Sequence, residues 1–227
     1  MDQELADALP RARCPRPFDI LGQHPSRDES GWVVRAWLPW ADAPRVVREG
    51  RAEVPMEPVA PGLFEARLAD AVGPFAYRLS AEDPTGRTVT WDDPYRFGPV
   101  LDEARIEAFL EGGEPRVQEV LGAHPCEHEG VRGTRFAVWA PHALGVSVVG
   151  SHNGWEPTLH PMRPRGATGV WEIFLPAVRP GTLYKYHIAT APSGAHVKTD
   201  PVGFQMELRP ATASVVAAPS RFRWTDE

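Results

Sequence analysis

The chain repeats itself at the scale of a domain. Leu21-Gly22-Gln23-His24-Pro25 returns as Leu121-Gly122-Ala123-His124-Pro125, and Val34-Arg35-Ala36-Trp37-Leu38-Pro39 as Phe136-Ala137-Val138-Trp139-Ala140-Pro141. Gly62-Leu63-Phe64-Glu65 returns as Gly169-Val170-Trp171-Glu172, and Asp93-Pro94-Tyr95-Arg96-Phe97 as Asp200-Pro201-Val202-Gly203-Phe204. The offsets of 100, 102, 107 and 107 residues keep their order and drift only by what loop insertions add. A period near 100 residues is too long for a solenoid, whose units run to about 20–50 residues, and it matches a whole small module. The fold must therefore hold two related units in tandem.

Each copy reads as strands and turns. The 25 prolines and 20 glycines among 227 residues leave few uninterrupted stretches for long helices. A hydrophobic content of 42% with eight tryptophans suffices for two cores. In the first copy, Trp32 to Leu38 predicts a strand ending at Pro39, and Arg45 to Val47 begins another. Phe64, Ala66 and Leu68 alternate with Glu65 and Arg67, the period of a half-buried strand. Phe75, Tyr77 and Leu79 alternate again before the turn Asp83-Pro84-Thr85-Gly86. The second copy gives Thr134 to Trp139, Val146 to Val149, Val170 to Leu175 and Leu183 to Ala189, then the turn Ala191-Pro192-Ser193-Gly194. This pattern predicts an all-β chain of two tandem immunoglobulin-like β-sandwich modules joined by a short helical linker. The expected boundaries are residues 1–100, a linker at 101–120, and 121–227. Within the linker, Asp102 is placed to cap a helix carrying Ile106, Phe109 and Leu110, stopped by Gly112-Gly113.

Charge excludes some functions. A net charge of −6 gives no electrostatic grip on nucleic acid or an anionic membrane. Met1-Asp2-Gln3-Glu4-Leu5 lacks a signal-peptide pattern, and no apolar run approaches about 20 residues. Cys14 and Cys126 occupy non-equivalent repeat positions, so neither module carries its own disulfide, and the expected setting is the reduced cytoplasm. His124, Cys126 and His128 alternate as metal ligands on a strand would. Against a metal site, Pro125 interrupts that strand, His24 repeats without a cysteine partner, and a fourth ligand is missing. His124 is expected instead to satisfy backbone groups in a repeated turn. No metal and no cofactor are expected.

Val149-Gly150-Ser151-His152-Asn153-Gly154-Trp155, with Gly169-Val170-Trp171-Glu172 and Leu183-Tyr184-Lys185-Tyr186, resembles the family-48 carbohydrate-binding module. With a similar module before it, and with Lys198-Thr199-Asp200-Pro201 and Glu207-Leu208-Arg209-Pro210-Ala211-Thr212-Ala213-Ser214-Val215-Val216 after it, the chain is similar to the N-terminal region of bacterial α-glucan branching enzymes. The resemblance implies an accessory region that binds and positions α-1,4-glucan, such as glycogen or maltooligosaccharides. It implies a catalytic barrel elsewhere in the same polypeptide, expected to begin near Arg221–Glu227. No carboxylate pair in this stretch has the setting glycoside transfer needs, so no catalytic residue is expected here. The alternatives are a free-standing glycogen-binding or regulatory adaptor and a purely structural tandem.

The candidate carbohydrate-binding residues are Trp155, Lys185 and Asn153. Trp155 follows the turn dipeptide Asn153-Gly154, which would hold the indole out from a loop where its face can cover the C–H face of a sugar. The alternative is a ring folded back on the sandwich edge. Asn153 either bonds a sugar hydroxyl or serves as a left-handed turn residue. Lys185 lies between Tyr184 and Tyr186, so it points away from both rings, either to donate to glucan hydroxyls or only to keep the sheet polar. The resemblance implies a lysine in this role beside the loop tryptophan. It also implies a second platform tryptophan before the final Asp-Pro, where this chain has His196-Val197-Lys198-Thr199. Trp171, in step with Ile173 and Leu175, is expected in the core. In the first copy the counterpart of Lys185 is taken as Ala76, and the tryptophan loop as Arg48-Glu49-Gly50-Arg51. Trp40 and Trp91 are expected either to form a platform of their own or to pack against the second module.

Overall fold

The computed structural model describes residues 2–26, 28, 31–113, 116–191 and 194–218. Met1, the turn residues Pro192 and Ser193, and the segment 221–227 lie outside them. A helix α1 (Gln3–Ala8), capped by the Asp2 carboxylate, precedes eight strands. These are β1 (Gly22–Pro25), β2 (Trp32–Trp37), β3 (Asp42–Val47), β4 (Val54–Pro55), β5 (Glu57–Ala60), β6 (Leu63–Leu68), β7 (Arg78–Glu82) and β8 (Thr88–Asp92). They pair antiparallel in two sheets, ordered β1-β2-β6-β5 and β4-β3-β7-β8.

After helices α2 (Glu103–Leu110) and α3 (Val117–Val120), the pattern returns. β9 (Gly122–His128), β10 (Val131–Trp139), β11 (Gly145–Gly150), β12 (Arg163–Pro164), β13 (Val170–Pro176) and β14 (Leu183–Ala189) are followed by β15 (Ala195–Lys198), β16 (Gln205–Met206) and β17 (Ser214–Val215). One sheet runs β9-β10-β13-β12, and the other β11-β14-β17-β16 with β15 also on β14. The chain is all-β, two sandwiches of immunoglobulin-like type. Trp37 and Trp139 end the matching strands β2 and β10.

Alternation decides which side chains meet between the sheets. Val34 and Ala36 of β2, Ala66 and Leu68 of β6, Val46 of β3 and Leu79 of β7 close the first core. Phe136, Trp171, Ile173, Leu175, Val148, Tyr184 and Tyr186 close the second. Burying each such large apolar side chain contributes roughly 1.5–3 kcal/mol. The opposite face of each first sheet is covered by the helical segment that precedes it. Leu5, Leu9, Ile20 and Leu21 pack on Leu63 in the first module, and Ile106, Val120 and Leu121 pack on Ala137 and Val170 in the second. Residues 101–113 and 116–120 thus cover the second module as residues 2–21 cover the first. Asp102 caps α2 through Ala104 N at 2.9 Å, Ile106 is buried, and Leu110 is exposed.

Two strands depart from their expected limits for local reasons. β7 starts at Arg78 rather than Phe75, because the Phe75 amide donates to the Gln23 side chain (2.9 Å) instead of joining a ladder. Pro125 does not interrupt β9, which is an edge strand, where a residue without an N–H is tolerated. Among the described residues no helix is long and apolar enough to cross a membrane.

Two paired devices fix the register between the copies. His24 Nε2 lies 3.0 Å from the Leu21 carbonyl, and His124 Nε2 lies 2.9 Å from that of Leu121. The buried Tyr77 hydroxyl donates to Asp93 Oδ2 at 2.6 Å, and Tyr184 to Asp200 Oδ2 at the same distance. Each aspartate also accepts from the amide two residues on, Tyr95 or Val202. Burial pushes both carboxyls up, Asp93 to about 6, while the tyrosine bonds pull them back down.

Candidate functional site

The tyrosine–aspartate pairs put β7 and β14 at an offset of 107, with Tyr77 matching Tyr184. Val46 faces Leu79 as Val148 faces Tyr186, so β3 and β11 stand at an offset of 102. Pro55 lies opposite Arg45 as Pro161 lies opposite Ser147, so the connection 48–54 corresponds to the longer stretch 150–160 in the second module. The insertion detected as drift in the repeat offset is therefore the segment that carries Trp155.

Asn153 builds this loop. Its Oδ1 accepts from Gly150 N (2.9 Å) and its Nδ2 donates to Val148 O (2.9 Å), with His160 Nδ1 at 3.0 Å. The Gly150 carbonyl accepts from both Asn153 N and Trp155 N. The Glu156 carboxylate closes the far side by accepting from Thr158 N and Oγ1. The left-handed turn expected at Asn153 falls instead on Gly154 (φ 63°) and Trp155 (φ 65°). Asn153 keeps an ordinary backbone because its side chain spans from Gly150 to Val148 and fixes the turn from outside it. A bulky side chain at positive φ costs on the order of 1–2 kcal/mol, and the surrounding hydrogen bonds hold it there. Trp155 is 41% exposed.

Lys185 stands opposite Val149 in the β11–β14 ladder, one residue before the loop leaves β11 at Gly150. Tyr184 and Tyr186 are buried on either side of it, so its ammonium lies on the face away from the core. There Nζ donates to Thr212 Oγ1 at 2.7 Å, which leaves two of its three donors uncommitted to that contact. The register corrects one equivalence. The first-module counterpart of Lys185 is Arg78, not Ala76, because Val47 faces Arg78 as Val149 faces Lys185. Phe75 and Tyr77 imitate the spacing of Tyr184 and Tyr186 without lying in the strand, which is why Ala76 mimics Lys185 in the sequence.

The face between the modules is aromatic. The Trp40 and Trp91 rings sit 5.5 Å apart at 44° and line a cavity of about 380 Å³ with His152 and His160 of the second module. Tyr95 donates to the Pro161 carbonyl at 3.2 Å, and its ring packs on Phe18, which the Arg163 guanidinium covers at 3.5 Å. Trp40 and Trp91 pack on the first core and turn towards the cavity that His152 and His160 also line. His152 and His160 stack at 5.3 Å. Burial lowers their pKa values to about 4 and about 3, His160 being pushed further by its neighbour. The meeting of these two histidines with Trp40 and Trp91 around one cavity carries no sequence signal, since the two walls come from different modules.

The histidines of β9 turn to backbone carbonyls. His124 turns to Leu121 O, His128 Nε2 lies 3.1 Å from the Gly98 carbonyl, and among the described residues no three His, Cys, Asp or Glu side chains gather as ligands.

Residues 120–203 match the family model of carbohydrate-binding module 48 (isoamylase N-terminal domain). Residues 2–95 match that of the alpha-1,4-glucan branching enzyme GlgB, N-terminal domain. The chain is 46% identical over 227 residues to the 1,4-alpha-glucan branching enzyme GlgB of Myxococcus xanthus, covering all of this chain and 30% of that protein. It is 44% identical over 217 residues to that of Methylococcus capsulatus, covering 95% of this chain and 29% of that protein. The chain thus spans about 30% of the length of the curated relatives it matches.

Proposed function

We propose, from the premise that this chain belongs to the N-terminal region of the glycogen branching enzyme family, that it is an accessory module pair which binds α-1,4-glucan and presents it to the rest of a longer polypeptide. The relatives are named for branching 1,4-alpha-glucan, and the substrate class is taken from them. The bond-breaking and bond-forming chemistry is assigned to a catalytic barrel in the remaining part of such a polypeptide. The free cysteines Cys14 and Cys126 suit a reducing interior, and we place the protein in the cytoplasm.

One observation carries the reading. Trp155 is an exposed indole held at an unfavourable backbone angle by a dedicated network, in an insertion the first module lacks. Strain maintained by surrounding structure points to use of the side chain it presents. A glucan offers the indole a weakly polar C–H face and a rim of hydroxyls. Lys185 donates to that rim with the protons left free by Thr212, and Asn153 acts by holding the loop rather than by touching sugar.

The expected affinity for maltooligosaccharides is weak, with Kd on the order of 0.1–10 mM, because one ring and one or two polar groups offer little area. Calorimetric titration with maltoheptaose tests it. Trp155→Ala should weaken binding by about tenfold while leaving the thermal melt nearly unchanged. Unaltered affinity in that variant rejects the platform.

A further inference from the structure

We propose that the first module serves the loop that carries Trp155: Tyr95, at the junction of the modules, is a positioning residue that holds the returning limb of that loop and, through it, the indole. This rests on the glucan platform proposed above, and it gives the module without an extended loop a part in that site.

The contacts form an unbroken chain. The Tyr95 hydroxyl stands 3.2 Å from the Pro161 carbonyl and 3.4 Å from that of Leu159, so it spans the residue between them. That residue is His160, whose Nδ1 lies 3.0 Å from Asn153 Nδ2. Asn153 in turn fixes the Gly150 amide and the Val148 carbonyl, and the Gly150 carbonyl accepts from Trp155 N. Each group has one role open to it. Burial raises the Tyr95 hydroxyl well above its ordinary range, so it keeps the proton it donates. Asn153 Nδ2 can only donate, so His160 Nδ1 accepts, and burial keeps that ring neutral down to about pH 3.

Tyr95 can bear on the loop because it is itself held from both sides. Its ring packs against the N-terminal cluster of the first module and against the core of the second. Phe18 backs it at 4.9 Å, and the Arg163 guanidinium covers Phe18 from the second module. Tandem modules ordinarily shift against one another across a linker. Here the linker backbone itself is bonded to the second module. Arg163 donates to the Phe97 carbonyl, and Glu129 accepts from Gly98 N at 2.8 Å. The buried Glu172 accepts from Val100 N and Leu101 N at 2.7 and 2.8 Å, and Arg165 donates to the Leu101 carbonyl at 2.9 Å. The junction therefore keeps one orientation, and the Tyr95 hydroxyl stays in reach of the loop.

The test uses the full ¹⁵N-labelled chain and two readouts. Tyr95→Phe keeps the ring in both clusters and removes only the donor. Without sugar, this variant should broaden the Trp155 indole N–H by exchange on the μs–ms scale, while the buried Trp171 indole stays sharp. Phe64→Ala, which loosens the first core without touching the chain of contacts, should leave the Trp155 indole unchanged. In titration with maltoheptaose, Tyr95→Phe should raise Kd about threefold, less than the loss from Trp155→Ala. An unaltered Trp155 indole in Tyr95→Phe overturns the proposal, as does equal broadening in Phe64→Ala. Unaltered affinity in Tyr95→Phe, when Trp155→Ala weakens binding, overturns it too and leaves the platform standing. Unaltered affinity in Trp155→Ala rejects the platform, and with it the part of Tyr95 in a glucan site, while the indole signature still shows whether the two residues are coupled.

Discussion

The two modules share a frame and differ in what the frame carries. Both have the same sheet order around β2 and β10, the same histidine-to-carbonyl contact and the same tyrosine–aspartate pair. Both keep a basic residue at the strand position of Arg78 and Lys185. They part at the connection after β3 and β11. In the first module that turn is short and reaches Gly50 in open space; in the second it is extended, cross-braced by Asn153, and displays Trp155. Duplication preserved what closes each sandwich, and the divergence lies in a loop, where insertions disturb few buried contacts.

The sharpest way to break the comparison is through its cores. Trp171 is 5% exposed and donates its indole N–H to Ala140 O, whereas its counterpart Phe64 only packs at the margin of the first core. Trp171→Ala should cost roughly 3–5 kcal/mol and Phe64→Ala roughly 1–3 kcal/mol in urea denaturation. Equal losses would mean that the two cores bear on stability alike despite the difference in burial.

The tyrosine–aspartate pairs sharpen it at the next level. Tyr77→Phe leaves the buried Asp93 without its bond and should cost about 1.5–3 kcal/mol. Tyr184→Phe should cost less, because the Tyr186 hydroxyl already stands 3.4 Å from Asp200 Oδ2 and can take over. A greater loss for Tyr184→Phe would rule out that substitution by Tyr186.

The frame was legible in the sequence because repeated local devices write themselves twice. Gly22 and Gly122 both adopt positive φ, Asp93 and Asp200 both cap a turn, and Trp37 and Trp139 both end a strand before proline. The site was legible only in part. The exposure of Trp155 and the outward face of Lys185 follow from the turn dipeptide and the period of two. The commitment of Asn153 to Val148 and Gly150, and the meeting of His152 and His160 with Trp91, depend on which surfaces of two modules touch. No local pattern encodes that. The Ala76 misassignment has the same root, since a hydrogen bond from Phe75 to Gln23, far away in sequence, decides where β7 begins.

The interface between the modules should respond to acid through His152. Its folded pKa, about 4, lies below the ordinary value of 6.5, so its contribution to stability is complete above pH 6.5 and is lost as pH falls towards 4. Asp93, raised to about 6, runs the other way: its contribution is complete below its ordinary 3.8 and is lost as pH rises through 6. Comparing wild type with His152→Phe cancels the aspartate. The difference between the two should change by on the order of 1–2 kcal/mol from pH 6.5 to 4, read from urea midpoints. A constant difference would show that His152 is as solvated in the folded chain as in the unfolded one.

The smallest effects lie in the two turns themselves, and they test why the loops differ. Gly50 and Trp155 share a left-handed backbone, φ 66° and 65°, but only the second carries a side chain. A Cβ on Gly50 would meet nothing within 4 Å, so Gly50→Ala measures the backbone penalty alone, about 1 kcal/mol. Trp155→Gly performs the reverse exchange. It relieves that penalty, adds freedom to the unfolded chain, and removes whatever packing the partly exposed ring supplies, so the net should stay within about 1 kcal/mol of zero. Trp155→Ala keeps the strain and loses the ring, and should be the less stable of the two variants. If thermal melts reverse that order, or if Trp155→Gly costs more than about 2 kcal/mol, then the indole braces the sandwich edge. The strain would then be a consequence of packing, and the extended loop of the second module would differ from its short counterpart for structural reasons instead of for a ligand.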